Sequence, residues 1–281
     1  MDFIHWYPGH IAKAEKKLKE LLNLVDVVIE VRDARIPASS AYPDIKKLIG
    51  EKPRLILLNK SDLTESSLTK KWAEKISKET GCQVILTCAS TSNDLKKITD
   101  KASSLAQEKI SKLVQKGLLP RPARVMIVGM PNVGKSSIIN KLIKRVKTKT
   151  GAKAGVTRTQ QWVRINPKID LLDTPGIIPL KQNNQECACR LAYVNSVGEN
   201  AYEVEPVANK FILEVEENYK GLIREHYNLE EGEELTLENI ALRRNWIVSG
   251  QKPDIKRTAS NILLDFRSGR LGKITIDRYE E

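Results

Sequence analysis

Residues 129–136 read Gly-Met-Pro-Asn-Val-Gly-Lys-Ser, a complete phosphate-binding loop set between an apolar run, Arg124–Val128, and a helical run, Gly134–Lys144. The pattern demands a strand, a tight turn and a helix in immediate succession. Its glycines let backbone N–H groups curl round phosphate oxygens, and the helix N-terminus adds its partial positive charge. Lys135 is placed to reach the β- and γ-phosphates and the Ser136 hydroxyl to ligate Mg²⁺, with Asn132, Val133, Gly134 and Ser137 completing the phosphate contacts.

About seventy residues earlier, Asn59-Lys60-Ser61-Asp62 closes another apolar run, Arg54–Leu58. Asp62 can accept hydrogen bonds from guanine N1–H and N2–H, while Asn59 and Lys60 brace the base and the phosphate loop. Adenine lacks those donors, and leaving a buried acceptor unpaired costs about 10⁴–10⁵ in discrimination. GTP over ATP therefore follows from this tetrad. One strand later, Thr87-Cys88-Ala89 stands where the Ala89 N–H would bind guanine O6, although the same residues also read as a plain strand end. Small signalling GTPases carry the phosphate loop first and the tetrad after it. The reverse order here indicates a circular permutation, with Gly117–Pro122 the breaker-rich connector where uncut termini would fall.

The metal set follows the phosphate loop. Asp173-Thr174-Pro175-Gly176 ends the run Ile169–Leu172, so Asp173 would hold Mg²⁺ through a water and the Gly176 N–H would sense the γ-phosphate. Thr157, in Gly155-Val156-Thr157-Arg158, would complete the Mg²⁺ shell, with Thr159 the competing choice. Ile177 occupies the position at which signalling GTPases place a water-orienting glutamine, and its side chain cannot hydrogen-bond a nucleophile. Hydrolysis then needs another residue, a cation or a partner. Asn132 could help hold a potassium ion, and His10 follows a Pro-Gly turn that could let it swing into the site.

Alternating strand and helix runs over residues 1–182 predict an α/β P-loop NTPase domain with a circularly permuted Ras-like, mainly parallel sheet. The strand runs are Val25–Val31, Arg54–Leu58, Gln83–Thr87, Arg124–Val128, Gln161–Ile165 and Ile169–Leu172. Residues 183–281 read as a smaller, all-helical C-terminal domain, with segments Glu186–Ser196, Pro206–Glu225, Thr236–Ile247 and Asp254–Ser268. The net charge of +12 is concentrated between Lys141 and Arg164 and again near the C-terminus. Two basic stretches beside a nucleotide site point to a polyanion such as RNA, with Arg243, Arg244, Lys256, Arg257, Arg267 and Arg270 the candidate contacts. No run is long and apolar enough to span a bilayer, no signal-peptide pattern opens the chain, and four cysteines form neither a secreted disulfide framework nor a zinc pattern. A reduced, cytoplasmic monomer is expected.

Together these features resemble the circularly permuted YlqF/YawG GTPases. The resemblance runs nearly the whole chain, from Trp6-Tyr7-Pro8-Gly9-His10 through Asp33-Ala34-Arg35-Ile36-Pro37 and the inverted motif order to Asp265-Phe266-Arg267-Ser268-Gly269-Arg270-Leu271-Gly272. It implies a cytosolic or organellar factor acting late on the large ribosomal subunit precursor, contacting rRNA and ribosomal proteins. GTP hydrolysis would be stimulated by the subunit and by potassium, with His10 taking part. Tyr7 and Ile11 replace the usual Phe and Met, and Ile177-Ile178-Pro179 stands where a Trp-Pro pair is expected. Two alternatives fit the same motifs: a signalling GTPase with a protein partner, and a GTP-gated RNA chaperone with little hydrolysis.

Overall fold

The computed structural model describes residues 8–88, 94–150, 162–172, 176–177 and 184–279, and their side chains at 15–88, 94–144, 162–172 and 184–279. The first part alternates α1 (Pro8–Leu22), β1 (Val27–Asp33), α2 (Ile45–Ile49), β2 (Arg54–Asn59), α3 (Ser66–Thr80), β3 (Gln83–Leu86), α4 (Leu95–Gln115), β4 (Ala123–Gly129), α5 (Lys135–Thr150), β5 (Trp162–Asn166), β6 (Ile169–Leu172) and β7 (Gly176–Ile177). The second part comprises α6 (Gln185–Tyr193), α7 (Val204–Asn218), α8 (Leu222–Tyr227), α9 (Leu237–Arg243), β8 (Ile247–Val248), β9 (Lys252–Pro253) and α10 (Ile255–Ser268).

The large sheet runs β3-β2-β1-β4-β6-β5, with β7 also pairing β4. All its pairs are parallel except β5 with β6. β1, β2 and β4 are rich in Val, Ile and Leu and buried on both faces, as central parallel strands require, with Glu30 of β1 buried against Arg32 and Arg54. Register decides where function sits: Val31 lies opposite Gly129, and Asp33 opposite Asn59. Parallel strands in this alignment deliver the tetrad and the phosphate loop to one edge of the sheet, despite the seventy residues between them.

β1 begins two residues later than its apolar run suggests. Asp26, buried to 1% exposure, stops the strand by accepting from Arg121 Nη1 at 2.6 Å and from the Arg124 N–H at 2.9 Å, with Lys109 Nζ at 2.8 Å. Burial raises its carboxyl, but these donors hold it down at about 2. Three further expectations need correction. The Pro206–Glu225 run breaks into α7 and α8 because Gly221 adopts a left-handed φ of 81°. The C-terminal part is not all helix, since β8 and β9 form a hairpin across Gly250 and Gln251, both at positive φ. Finally, β7 extends the sheet from Gly176, the last residue of the Asp173 motif.

Helices α6 to α10 pack round Tyr193, Phe211 and Phe266, whose ring centroids stand 5.2 and 4.9 Å apart in turn. Their apolar core is continuous with that beneath the sheet. After α10 the chain returns to the sheet domain. Ile274 N donates to Leu63 O and Ile276 N to Arg35 O, while Tyr279 meets Trp72 edge-on at 5.6 Å. Asp277 accepts from the backbone N–H groups of Ala38 and Ser39 at 2.7 and 2.8 Å and from Ser39 Oγ at 2.5 Å. Among the described residues no helix is long and apolar enough to cross a membrane.

Candidate nucleotide site

Two glycines shape the loop between β4 and α5. A Cβ on Gly129 would lie 2.4 Å from the Val31 carbonyl oxygen, and one on Gly134 would lie 2.2 Å from Asn59 Nδ2. Both also hold positive φ, 153° and 97°. The second contact exists because the tetrad is fastened to the loop. Asn59, wholly buried, donates from Nδ2 to Val133 O at 2.8 Å and accepts at Oδ1 from Thr87 Oγ1 at 3.2 Å. Lys60 Nζ donates to Asn132 O at 2.9 Å and pairs with Asp33 at 2.9 Å.

Lys60 sits at φ 61°, which turns the chain so that Ser61 N and Oγ both donate to Thr87 O, at 3.1 and 3.0 Å. The following 3₁₀ turn, Ser61–Leu63, presents Asp62 exposed at the same sheet edge. Cys88 is half-buried beside it, and Ser136 and Ser137 are exposed on the first turn of α5. Gly176 is opposite Val128, next to the loop. Thus Asn59, Lys60, Ser61, Asp62, Thr87, Asn132, Val133, Gly134, Lys135 and Ser136 gather at one edge. Ala89, Thr157 and Asp173 lie outside the described residues, as does the side chain of His10, whose backbone belongs to the first turn of α1.

Lys135 is nearly buried and donates to Met130 O at 2.6 Å. Burial pushes its ammonium down to about 8. A bound phosphate dianion favours the charged form, so above pH 8 binding must take up a proton. Nucleotide affinity is therefore expected to be flat below pH 7.5 and to fall about tenfold between pH 7 and pH 9. Fluorescence titration with a GDP analogue across that range checks this; a flat profile would exclude a lysine of lowered pKa at the phosphates.

For Mg²⁺, the donor chemistry fits. Among the described residues no cluster of three His, Cys, Asp or Glu offers a dedicated metal cage. Mg²⁺ favours another arrangement, a single hydroxyl such as Ser136 together with waters and substrate phosphate oxygens.

The sequence patterns carried no role for Asp33 and Arg35, yet both are wholly buried at the site's flank. Arg35 Nε and Nη2 donate to the two Asp33 carboxylate oxygens at 2.9 and 2.8 Å, and Arg35 Nη1 donates to Phe266 O and Arg267 O, each at 3.3 Å. Burial would raise the Asp33 carboxyl, but Arg35 and then Lys60 hold it well below the usual carboxylate range. The available signal was a charged Asp-Ala-Arg at the end of a strand rich in valine and isoleucine.

The six arginine and lysine candidates separate. Arg244 and Arg257 both stack over Trp246, at 5.7 and 5.8 Å, with exposed Lys256 beside them in sequence. Arg243 pairs with Glu230 and Glu233, and Arg270 with Asp265. Arg267 faces inward: Nε donates to Tyr193 O and Nη2 to Ala192 O, both at 2.9 Å, and Nη2 also reaches Tyr202 Oη at 3.1 Å.

Comparison with known proteins agrees with this geometry. A family model described as a 50S ribosome-binding GTPase matches residues 124–233, starting at the phosphate-loop strand in mid-chain. The ribosome biogenesis GTPase A of Bacillus cereus is 41% identical over 99% of this chain and 95% of its own length. The mitochondrial ribosome-associated GTPase 1 of Mus musculus is 33% identical over 99% of this chain and 91% of its own. A GNP-bound crystal structure of YlqF from T. maritima superposes with a TM-score of 0.65 at 30% identity, covering 95% of this chain and 98% of that one. With 33–41% identity to such relatives over 99% of its length, and a matching solved fold, the chain belongs to the YlqF-type ribosome biogenesis GTPases.

Proposed function

We infer that this GTPase acts late in assembly of the large ribosomal subunit, and that the subunit precursor and potassium stimulate its turnover. The observation that carries the reading is the join between two motifs in inverted order: Asn59 bound to Val133 and Lys60 bound to Asn132. That join is what a guanine-reading phosphate site would need in a permuted chain, and full-length relatives of this chain are named for ribosome biogenesis.

In this reading Asp62 selects guanine, while the loop N–H groups and Lys135 hold the phosphates. Ser136, Thr157 and Asp173 hold Mg²⁺, which when bound neutralises charge developing on the β- and γ-phosphate oxygens. Ile177 offers the attacking water nothing, so His10, a potassium ion held by Asn132, and the ribosomal partner supply what is missing. A sheet domain of residues 1–182 would act as the switch. The helical part, with Arg244 and Arg257 over Trp246 and exposed Lys256 next to Arg257 in sequence, would meet rRNA, stacked guanidinium and indole being suited to single-stranded RNA. The setting would be the cytoplasm, or an organellar matrix.

Turnover measured in potassium buffer with and without purified large subunits tests this. At least tenfold stimulation, lost on replacing potassium by sodium, is expected. Turnover indifferent to subunits would favour a signalling GTPase, and negligible turnover under every condition a GTP-gated RNA binder.

A further inference from the structure

The helical part touches the phosphate loop directly. After α6 the chain closes in a Schellman turn, with Ser196 N donating to Leu191 O at 2.8 Å and Asn195 N to Ala192 O at 3.0 Å. The turn requires a left-handed residue, and Asn195 supplies it at φ 61°. Two groups of the turn then point at the loop. Asn195 O accepts from Asn132 Nδ2 at 2.5 Å, and Ser196 Oγ donates to Pro131 O at 2.6 Å.

A carbonyl can face only the NH₂ end of an asparagine amide, so this contact fixes the amide's direction and turns Asn132 Oδ1 away from Asn195. On the other side, Lys60 Nζ holds the Asn132 carbonyl at 2.9 Å. The turn is itself braced. Arg267 caps the Tyr193 and Ala192 carbonyls, and Arg35 binds the backbone carbonyls of Phe266 and Arg267. Hydrogen bonds thus run from α6 through α10, Arg35, Asp33 and Lys60 back to the loop.

We propose that the Asn195–Ser196 turn is a positioning element of the phosphate loop. Through it, the seating of the helical part sets how fast nucleotide leaves and aims Asn132 Oδ1 at a monovalent cation. The cation half rests on the reading of Asn132 as a potassium ligand; the nucleotide half does not.

The test uses the full chain and three variants: Ser196→Ala, which removes one hydroxyl; Asn195→Val, whose β-branched side chain resists the left-handed region; and Asn195→Gly, which accepts it. Release of a fluorescent GDP, the ratio of turnover in potassium to that in sodium, and Tm are measured for each. Ser196→Ala and Asn195→Val are expected to release GDP about threefold to tenfold faster, the scale of one lost hydrogen bond, with Asn195→Gly restoring slow release relative to Asn195→Val. The potassium-to-sodium ratio is expected to fall towards one in Asn195→Val. A lower Tm in all three with release and ratio unmoved would reduce the turn to a structural contact and overturn the proposal. A wild-type chain that does not distinguish potassium from sodium would overturn the cation half, and GDP release would still decide the positioning.

Discussion

An Asp62→Ala chain is expected to bind GTP about 10²- to 10⁴-fold more weakly while its affinity for ATP stays unchanged. The side chain is exposed on the 3₁₀ turn Ser61–Leu63. That turn is held without help from the carboxylate, at its start by Lys60 at φ 61° and the two Ser61 donors on Thr87 O, and at its end by Leu63 O accepting from Ile274 N. Removing the carboxylate therefore leaves the scaffold standing and deletes only contacts to the base. Two hydrogen bonds to a charged acceptor are worth about 1.5–3 kcal/mol each, which gives the stated range. Calorimetric titration with GTP and ATP decides the matter. A loss below tenfold, or a parallel loss for ATP, would mean that Asp62 does not read the base.

Gly134→Ala is expected to cost about 30- to 4000-fold in GTP affinity while the protein remains folded. The new methyl would lie 2.2 Å from Asn59 Nδ2, and the residue would have to hold φ 97°. Crowding of this kind costs about 1–3 kcal/mol and a left-handed alanine about 1–2 kcal/mol more. The relief available is local, for the loop can move off Asn59 and break the bond to Val133 that joins tetrad to phosphate site. Gly50→Ala is the control: its φ of 61° is strained in the same sense, but nothing stands within 4 Å, and it lies away from the loop. Nucleotide binding by Gly134→Ala within threefold of wild type would show that the Asn59–Val133 join is dispensable. Gly50→Ala should bind normally with a small fall in Tm.

Periodicity carried the sheet, because β1, β2 and β4 bury both faces and so appear as Val-, Ile- and Leu-rich stretches. It missed β8 and β9, whose two-residue strands are too short to show any period. The phosphate loop and tetrad were legible because their chemistry is local. Their mutual contacts were not, since Asn59 and Val133 stand 74 residues apart and only the parallel register brings them together. Charge misled in a specific way. Arg267 looks in the sequence like any other basic residue near the C-terminus, yet it closes the end of α6 from within the fold. Arg35 and Asp33 marked the family without revealing why. Only a buried carboxylate held by two cations, with α10 carbonyls at hand, shows that this pair ties the helical part to the sheet.

The return of the chain after α10 has a consequence for how the protein is made. Asp277 closes the segment after β1 by binding Ala38 and Ser39, partners 239 and 238 residues away in the chain. Such a contact cannot form until residue 277 has been added, so the flank of β1 is sealed only after more than two hundred further residues have emerged. Until then the Asp277-binding N–H groups and the Arg35 O that later accepts from Ile276 face solvent or chaperones. A nascent chain halted short of residue 277 would carry every nucleotide motif and still lack the Asp277 clasp on the segment after β1.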